Sequence, residues 1–174
     1  MDSQQVILVD DRDQANGMME KLEAHEKGLL HRAFSIFIFN AKGEMLLQRR
    51  ALNKYHSGGL WTNACCSHPA PGEETGVAAH RRLQEELGFD APLEKIFDFV
   101  YRQEFKNGLI EHEFDHVYAG YYNGELNINP AEVMDTCFKS VRQIRYDLRI
   151  NPEQYTAWFR LAFPKMQAWW NRDE

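Results

Sequence analysis

The stretch from Leu60 to Pro69, Leu-Trp-Thr-Asn-Ala-Cys-Cys-Ser-His-Pro, sets Cys66 and His68 two residues apart, just ahead of a Pro-Ala-Pro-Gly turn. In an extended backbone alternate side chains share a face, so the thiol and the imidazole would point the same way. A thiol donates protons or attacks as a nucleophile, and an imidazole binds metal or acts as a base. A second cluster, Glu111-His112-Glu113, puts two carboxylates on one face of a strand, with His112, Phe114 and His116 on the other. Two such carboxylates repel unless they are solvated, protonated or bridged by a cation. Together with His68, and with His25 and His31 to complete the set, they could bind a divalent metal such as Mn²⁺, Zn²⁺ or Fe²⁺. Five imidazole and carboxylate ligands suit octahedral coordination better than the usual tetrahedral zinc site. Each cluster also has a plain structural reading: a small buried thiol beside a hydrogen-bonded histidine, and a solvent-facing strand.

A third group lies in Arg81-Arg82-Leu83-Gln84-Glu85-Glu86-Leu87-Gly88. Adjacent carboxylates on a helix can hold Mg²⁺ against a diphosphate, because Mg²⁺ prefers one or two carboxylates plus phosphate oxygens. Lys21, Arg50, Lys54 and Arg82 could grip the same phosphates. The alternative is that Arg81–Glu85 and Arg82–Glu86 are surface ion pairs worth about 0.2–0.5 kcal/mol each.

The elements that must carry these groups are legible from pattern. Residues 5–10 predict a first strand, and residues 18–26 a helix or irregular lead-in holding Lys21 and His25. Two β-rich runs around Asn40-Ala41-Lys42-Gly43 predict a hairpin ending at Arg50. A polar loop, residues 51–59, carries Lys54. Residues 73–87 predict a helix, with Ala79, Leu83 and Leu87 at i, i+4 and i+8 and Gly88 as its C-cap. Strands at residues 95–105 and 109–122 flank the turn signal Asn107-Gly108. Val141, Ile144 and Leu148 predict a short helix. Asn151-Pro152 then caps a final amphipathic helix through Trp158 and Trp169, kinked at Pro164. One α+β domain is expected.

At 174 residues, with 44% hydrophobic and 26% charged, the chain has the composition of a globular protein. No apolar run approaches the roughly 18 residues of a membrane span, and no basic-then-apolar signal opens the chain. Three cysteines make no disulfide framework, which favours a reducing cytoplasm. The net charge of −6 argues against nucleic acid as a partner but leaves room for a small anion in a local basic pocket. No obligatory protein partner is expected, and the chain reads as a monomer.

These pieces together resemble the type I isopentenyl-diphosphate isomerases, a branch of the Nudix superfamily. The resemblance covers nearly the whole chain. It is carried by His25, residues 29–35 and 48–51, Trp-Thr-Asn-Ala-Cys-Cys-Ser-His-Pro at 61–69, residues 81–88, Glu-His-Glu at 111–113, and Trp158. Against the general Nudix pattern Glu73, Arg81, Glu85, Glu86 and Gly88 match. Ser67 stands in place of the first glycine, and Arg82 in place of a glutamate, which puts ordinary diphosphate hydrolysis in doubt. The resemblance implies an α/β/α sandwich with a mixed sheet, in which residues 1–28 supply His25 and part of the active-site cover. It implies the interconversion of isopentenyl and dimethylallyl diphosphate, with Cys66 and Glu113 as the two proton handlers, Tyr101 hydrogen-bonding near Glu113, and Trp158 over the developing cation. The implied metal ligands are His25, His31, His68, Glu111 and Glu113, with Mn²⁺ favoured over Zn²⁺ or Mg²⁺. Glu86, helped by the Cys66 carbonyl, would bind the Mg²⁺ that arrives with the substrate, and Lys21, Arg50, Lys54 and Arg82 would contact the diphosphate. Cys65, facing the other way, would be a packing residue. Two other readings stay open: a Nudix hydrolase of nucleoside-diphosphate compounds, and a non-catalytic binding relative.

Overall fold

A computed structural model describes residues 4–171; the first three residues of the expected cover segment lie outside that range. Strands β1 (Gln5–Val9) and β2 (Ala15–Glu20) form a hairpin, so part of the expected lead-in is strand and only Lys21–Lys27 is helix, α1. Next come β3 (His31–Phe39), β4 (Glu44–Arg50), the short β5 (Trp61–Thr62) and β6 (Cys65–Ser67), then helix α2 (Thr75–Leu87). The long β7 (Leu93–Glu104) and β8 (Ile110–Tyr121) precede β9 (Val133–Ser140), α3 (Val141–Ile150) and α4 (Ala157–Trp170).

β3 organises the sheet. It runs antiparallel to β6 on one edge and parallel to β8 on the other. A strand has only two edges, and this explains a departure from expectation. β3 and β4 follow one another across a tight turn but pair only at Phe39 and Met45. With both edges of β3 taken, β4 swings away and makes its ladder with β9. The β7–β8 hairpin forms as expected around Asn107-Gly108. Asn151 and Pro152 open a single 3-10 turn and not the last helix; α4 is capped by the Thr156 hydroxyl and continues through Pro164.

Alternation along the central strands sorts the core into two layers. Ile36, Ile38 and Leu46 pack against Ala79, Leu83 and Leu87 of α2. Phe37, Phe39, Met45 and Leu47 pack on the opposite face against Ile144 of α3 and Phe159, Phe163 and Met166 of α4. The result is an α/β/α sandwich on a mixed sheet. Among the described residues no helix is long and apolar enough to cross a membrane.

Candidate active site

Sheet register brings the two proton-handling candidates to one cleft. Cys66 on β6 lies across from Ser35 on β3, and His31, four residues earlier on β3, lies across from Glu113 on β8. Paired residues point to one face, and so do residues four apart on a strand. Tyr101 on β7 stands opposite Glu113 and joins the same face. Cys66, Glu113, Tyr101 and Trp158 all line one cleft, which with its mouth holds about 600 Å³ of empty space. Lys21, Arg50, Lys54 and Arg82 line it as well.

The sulfur of Cys66 is held by polar contacts. Its thiol donates to Asn63 Oδ1 at 3.1 Å, the Trp158 indole N–H donates to the sulfur at 3.1 Å, and the Ser35 hydroxyl lies 3.5 Å away. Burial and the neighbouring Asp115 push the Cys66 pKa up to about 12, while these hydrogen bonds pull against them. The resting group is a thiol, with donors already in place for a thiolate. Cys65 points to the other side, as expected, but it does more than pack: its thiol donates to Glu86 Oε2 at 2.9 Å.

The histidines are set for a metal. His25 and His31 each direct Nδ1 to a backbone carbonyl, Lys21 O at 2.7 Å and Leu29 O at 2.9 Å. Those bonds place the ring proton on Nδ1 and turn the Nε2 lone pair inward. Both Nε2 atoms are buried and have no hydrogen-bond partner. An apolar core would leave them destabilised; a divalent cation would satisfy them. His31 Nε2 lies 3.8 Å and His68 Nε2 3.3 Å from Glu113 Oε1, and His25 Nε2 lies 3.8 Å from Glu111 Oε1. His25, His31, His68 and Glu113 offer ligand atoms all within 4.8 Å of one another. Burial lowers His31 to about 4 and His68 well below its usual value, so both stay neutral and able to ligate. Burial, with Glu111 and Asp115 beside it, pushes Glu113 well above the usual carboxylate range. Burial acts the same way on Glu111, but the His25 and His56 rings beside it prevail and hold it low.

The Tyr101 hydroxyl donates to Glu111 Oε2 at 2.7 Å, beside Glu113, with which its backbone is in register. The α2 carboxylate Glu86 is buried, with Oε1 taking Arg82 at 3.1 Å and Oε2 taking Gln48 at 3.2 Å. Arg82 and Lys54 are tied together through Glu132, the former at 3.4 Å. The Arg50 guanidinium sits 5.0 Å over the Trp158 ring. Several site residues, Tyr55 among them, escaped the sequence reading. Asp115 continues the alternation of Glu111 and Glu113, a signal that was present, and bonds Ser35 at 2.7 Å. Ser35, His56 and Glu132 carry no local pattern.

The NUDIX domain model matches residues 29–159. The chain is 52% identical over 166 residues to the isopentenyl-diphosphate Delta-isomerase of Pectobacterium atrosepticum, covering 95% of this chain and 93% of that protein. It is 53% identical over 162 residues to isopentenyl-diphosphate Delta-isomerase 2 of Aromatoleum aromaticum, covering 93% and 86%. The chain belongs to the isopentenyl-diphosphate isomerase branch of the Nudix family. Solved structures carry the same fold at low identity. DR0079 from Deinococcus radiodurans superposes with a TM-score of 0.78 at 17% identity over 93% of this chain and 98% of that one. A MutT protein from Methanosarcina mazei gives 0.67 at 21% identity over 82% and 96%. Within the Nudix helix, Glu73 is ion-paired to Arg81 at 2.7 Å, and Arg82 is paired with Glu85 and Glu86 in place of the usual glutamate.

Proposed function

We propose that the chain interconverts isopentenyl diphosphate and dimethylallyl diphosphate by moving two protons across one alkene. The observation that carries the reading is the shared cleft: Cys66 and Glu113 line it together with Lys21, Arg50, Lys54 and Arg82. The basic side chains hold the diphosphate and fix the hydrocarbon between the sulfur and the carboxyl. One of these groups adds a proton to the terminal alkene carbon, leaving a tertiary carbocation, and the other removes a proton from C2. Reversibility requires each to act as donor in one direction and acceptor in the other. Cys66 is suited to both, since Asn63 accepts from its thiol and Trp158 donates to its thiolate.

His25, His31, His68, Glu111 and Glu113 would hold one divalent metal, Mn²⁺ before Zn²⁺ or Mg²⁺, whose charge would orient Glu113 and favour its ionised form. Glu86 and the Cys66 carbonyl would hold the Mg²⁺ that enters with the diphosphate. Tyr101 acts through Glu111, fixing the carboxylate beside Glu113. Trp158 offers its ring to the carbocation, a contact worth about 2 kcal/mol when desolvated. Arg50, which shares that ring, is neutralised by the diphosphate it holds. The hydrolase reading is disfavoured by Arg82, whose guanidinium occupies Glu85 and Glu86. The free cysteines support a reducing, cytoplasmic setting, and a monomer suffices because one chain supplies every group named.

Incubating the purified protein with isopentenyl diphosphate in deuterated water, with Mg²⁺ and Mn²⁺ present, tests this. Dimethylallyl diphosphate carrying a new methyl deuterium is expected. An intact, metal-loaded protein that gives no exchange, or that releases phosphate from nucleoside diphosphate compounds instead, would rule it out.

A further inference from the structure

We infer that His56 is a positioning residue for the metal centre, locking the Glu111 carboxylate in its ligating orientation. The inference rests on reading the His/Glu cluster as a metal centre. His56 lies in the 51–59 loop, away from the strands and helix that carry the candidate ligands. It is buried, and its ring is fixed on three sides. It stacks flat on Phe105, with centroids 4.6 Å apart and planes at 10°, and meets Trp158 and Tyr55 edge-on at 5.8 and 5.2 Å. The next residue, Ser57, holds a left-handed backbone (φ 56°) that is unfavourable for a side chain with a Cβ. The same turn brings the Ser57 hydroxyl to 3.2 Å from His56 Nδ1.

The tautomer follows from these contacts. The Glu111 carboxylate only accepts, so Nε2, 3.2 Å from its Oε1, carries the ring hydrogen, and the Ser57 hydroxyl then donates to Nδ1. The other oxygen of Glu111 already accepts from Tyr101 at 2.7 Å. Each carboxylate oxygen therefore has one fixed donor, and a carboxylate pinned at both oxygens has a single orientation. That orientation leaves a free lone pair on Oε1, 3.8 Å from the unpartnered Nε2 of His25. A histidine whose Nε2 carries a proton is not itself a ligand; it acts on the metal through Glu111.

The test titrates chelator-stripped protein with Mn²⁺ alone and follows free Mn²⁺ by electron paramagnetic resonance. His56→Phe keeps the flat ring on Phe105 and loses the donor; His56→Gln keeps a donor. Relative to native protein, His56→Phe should bind Mn²⁺ about 10–100-fold more weakly. His56→Gln should recover most of that loss, and pulsed spectra of bound Mn²⁺ should show the same number of coordinated imidazole nitrogens in every variant. If His56→Phe fails to fold by circular dichroism, His56→Asn, whose amide is too short to reach Glu111, carries the same comparison. Native protein that takes up no Mn²⁺ would defeat the metal-centre reading itself. Native-like affinity in the folded donor-less variant would defeat the role of His56 alone, and so would loss of one coordinated nitrogen, which would make His56 a ligand.

Discussion

Replacing one thiol at a time separates the two adjacent cysteines, because the structure gives them different work. Cys66→Ala removes the proposed proton handler from the cleft, and positioned acid–base groups contribute about 10²–10⁴-fold to a rate. It also leaves the buried Trp158 N–H without its sulfur acceptor, whereas Asn63 Oδ1 keeps the Thr62 hydroxyl at 2.9 Å. Cys65→Ala removes a buried thiol and its bond to Glu86, but Glu86 retains Arg82 and Gln48. Its cost falls on stability: about 1–2 kcal/mol for the lost atom and hydrogen bond, or ~2–8 °C in Tm. Turnover of isopentenyl diphosphate, followed by methyl deuteration, should fall at least 100-fold for Cys66→Ala and less than tenfold for Cys65→Ala. Thermal melts should not follow that order, since both variants lose a buried thiol and Cys66→Ala also strands the Trp158 N–H. Cys66→Ser, which can still meet Trp158 and Asn63, should fold like the native protein while remaining slow, since a hydroxyl is a far poorer acid. Equal losses of turnover for the two alanine variants would refute the assignment of proton transfer to Cys66.

Two further outcomes follow from the diphosphate clamp. Burial, then the charges of Lys54 and Arg50, lower the Lys21 pKa to about 8; only the ammonium form attracts phosphate, so KM should be flat below that pH and climb above it. Lys21→Arg should move the climb to higher pH, and a native KM that stays level between about 7 and 9.5 would contradict the shift. Glu132 places a carboxylate on Lys54 and Arg82, so Glu132→Gln, by removing a like charge beside the clamp, should tighten binding of inorganic diphosphate severalfold in calorimetry, the more so at low salt; weaker binding would mean that Glu132 organises the two cations instead of competing for them.

The parts of the fold set by local chemistry were legible in advance. Gly88 ends α2 at φ 73°, and a Cβ there would lie 2.5 Å from the Asn127 carbonyl oxygen. Gly108 turns the β7–β8 hairpin at φ 86°. Strand pairing was less legible, because it depends on which edges are already occupied: adjacency across the Asn40–Gly43 turn suggested a β3–β4 ladder that β6 and β8 displace. β9 gave no signal since it pairs along one edge only, with β4, and its Met-Asp-Thr-Cys-Phe-Lys run is half-exposed without alternation. In the site, the face shared by Glu111 and Glu113 could be read from alternation, and the same rule extended by two residues reaches Asp115. No spacing rule joins residues 25, 31, 68, 111 and 113. They come from one helix, the β3 and β8 strands and the end of β6, and only residue type and the resemblance, not spacing, group them. His56 and Glu132 sit in loops, where the backbone path decides what a side chain reaches.

The period-two geometry of a three-residue strand explains how so much chemistry is concentrated in so little chain. On one face of β6, Cys65 and Ser67 look toward α2: the thiol bonds Glu86 and the hydroxyl accepts from Arg82 Nε at 3.1 Å. On the other face Cys66 meets Trp158 in the cleft, and His68, one residue past the strand, meets Glu113. A single strand thus sets side chains against Glu86, Arg82 and Trp158 and, one residue on, Glu113, and alternation sorts them to two faces at the rim of one cleft. A one-residue slip of β6 against β3 would exchange the two faces, turning Cys65 into the cleft and Cys66 toward Glu86. Asn63 opposes that slip, since its amide donates to the carbonyls of both Ile36 on β3 and Cys65 on β6, at 2.9 and 3.0 Å. The asparagine two residues ahead of the buried thiol pins the register that decides which cysteine faces the cleft, and its own oxygen then accepts a hydrogen bond from the Cys66 thiol it has placed there.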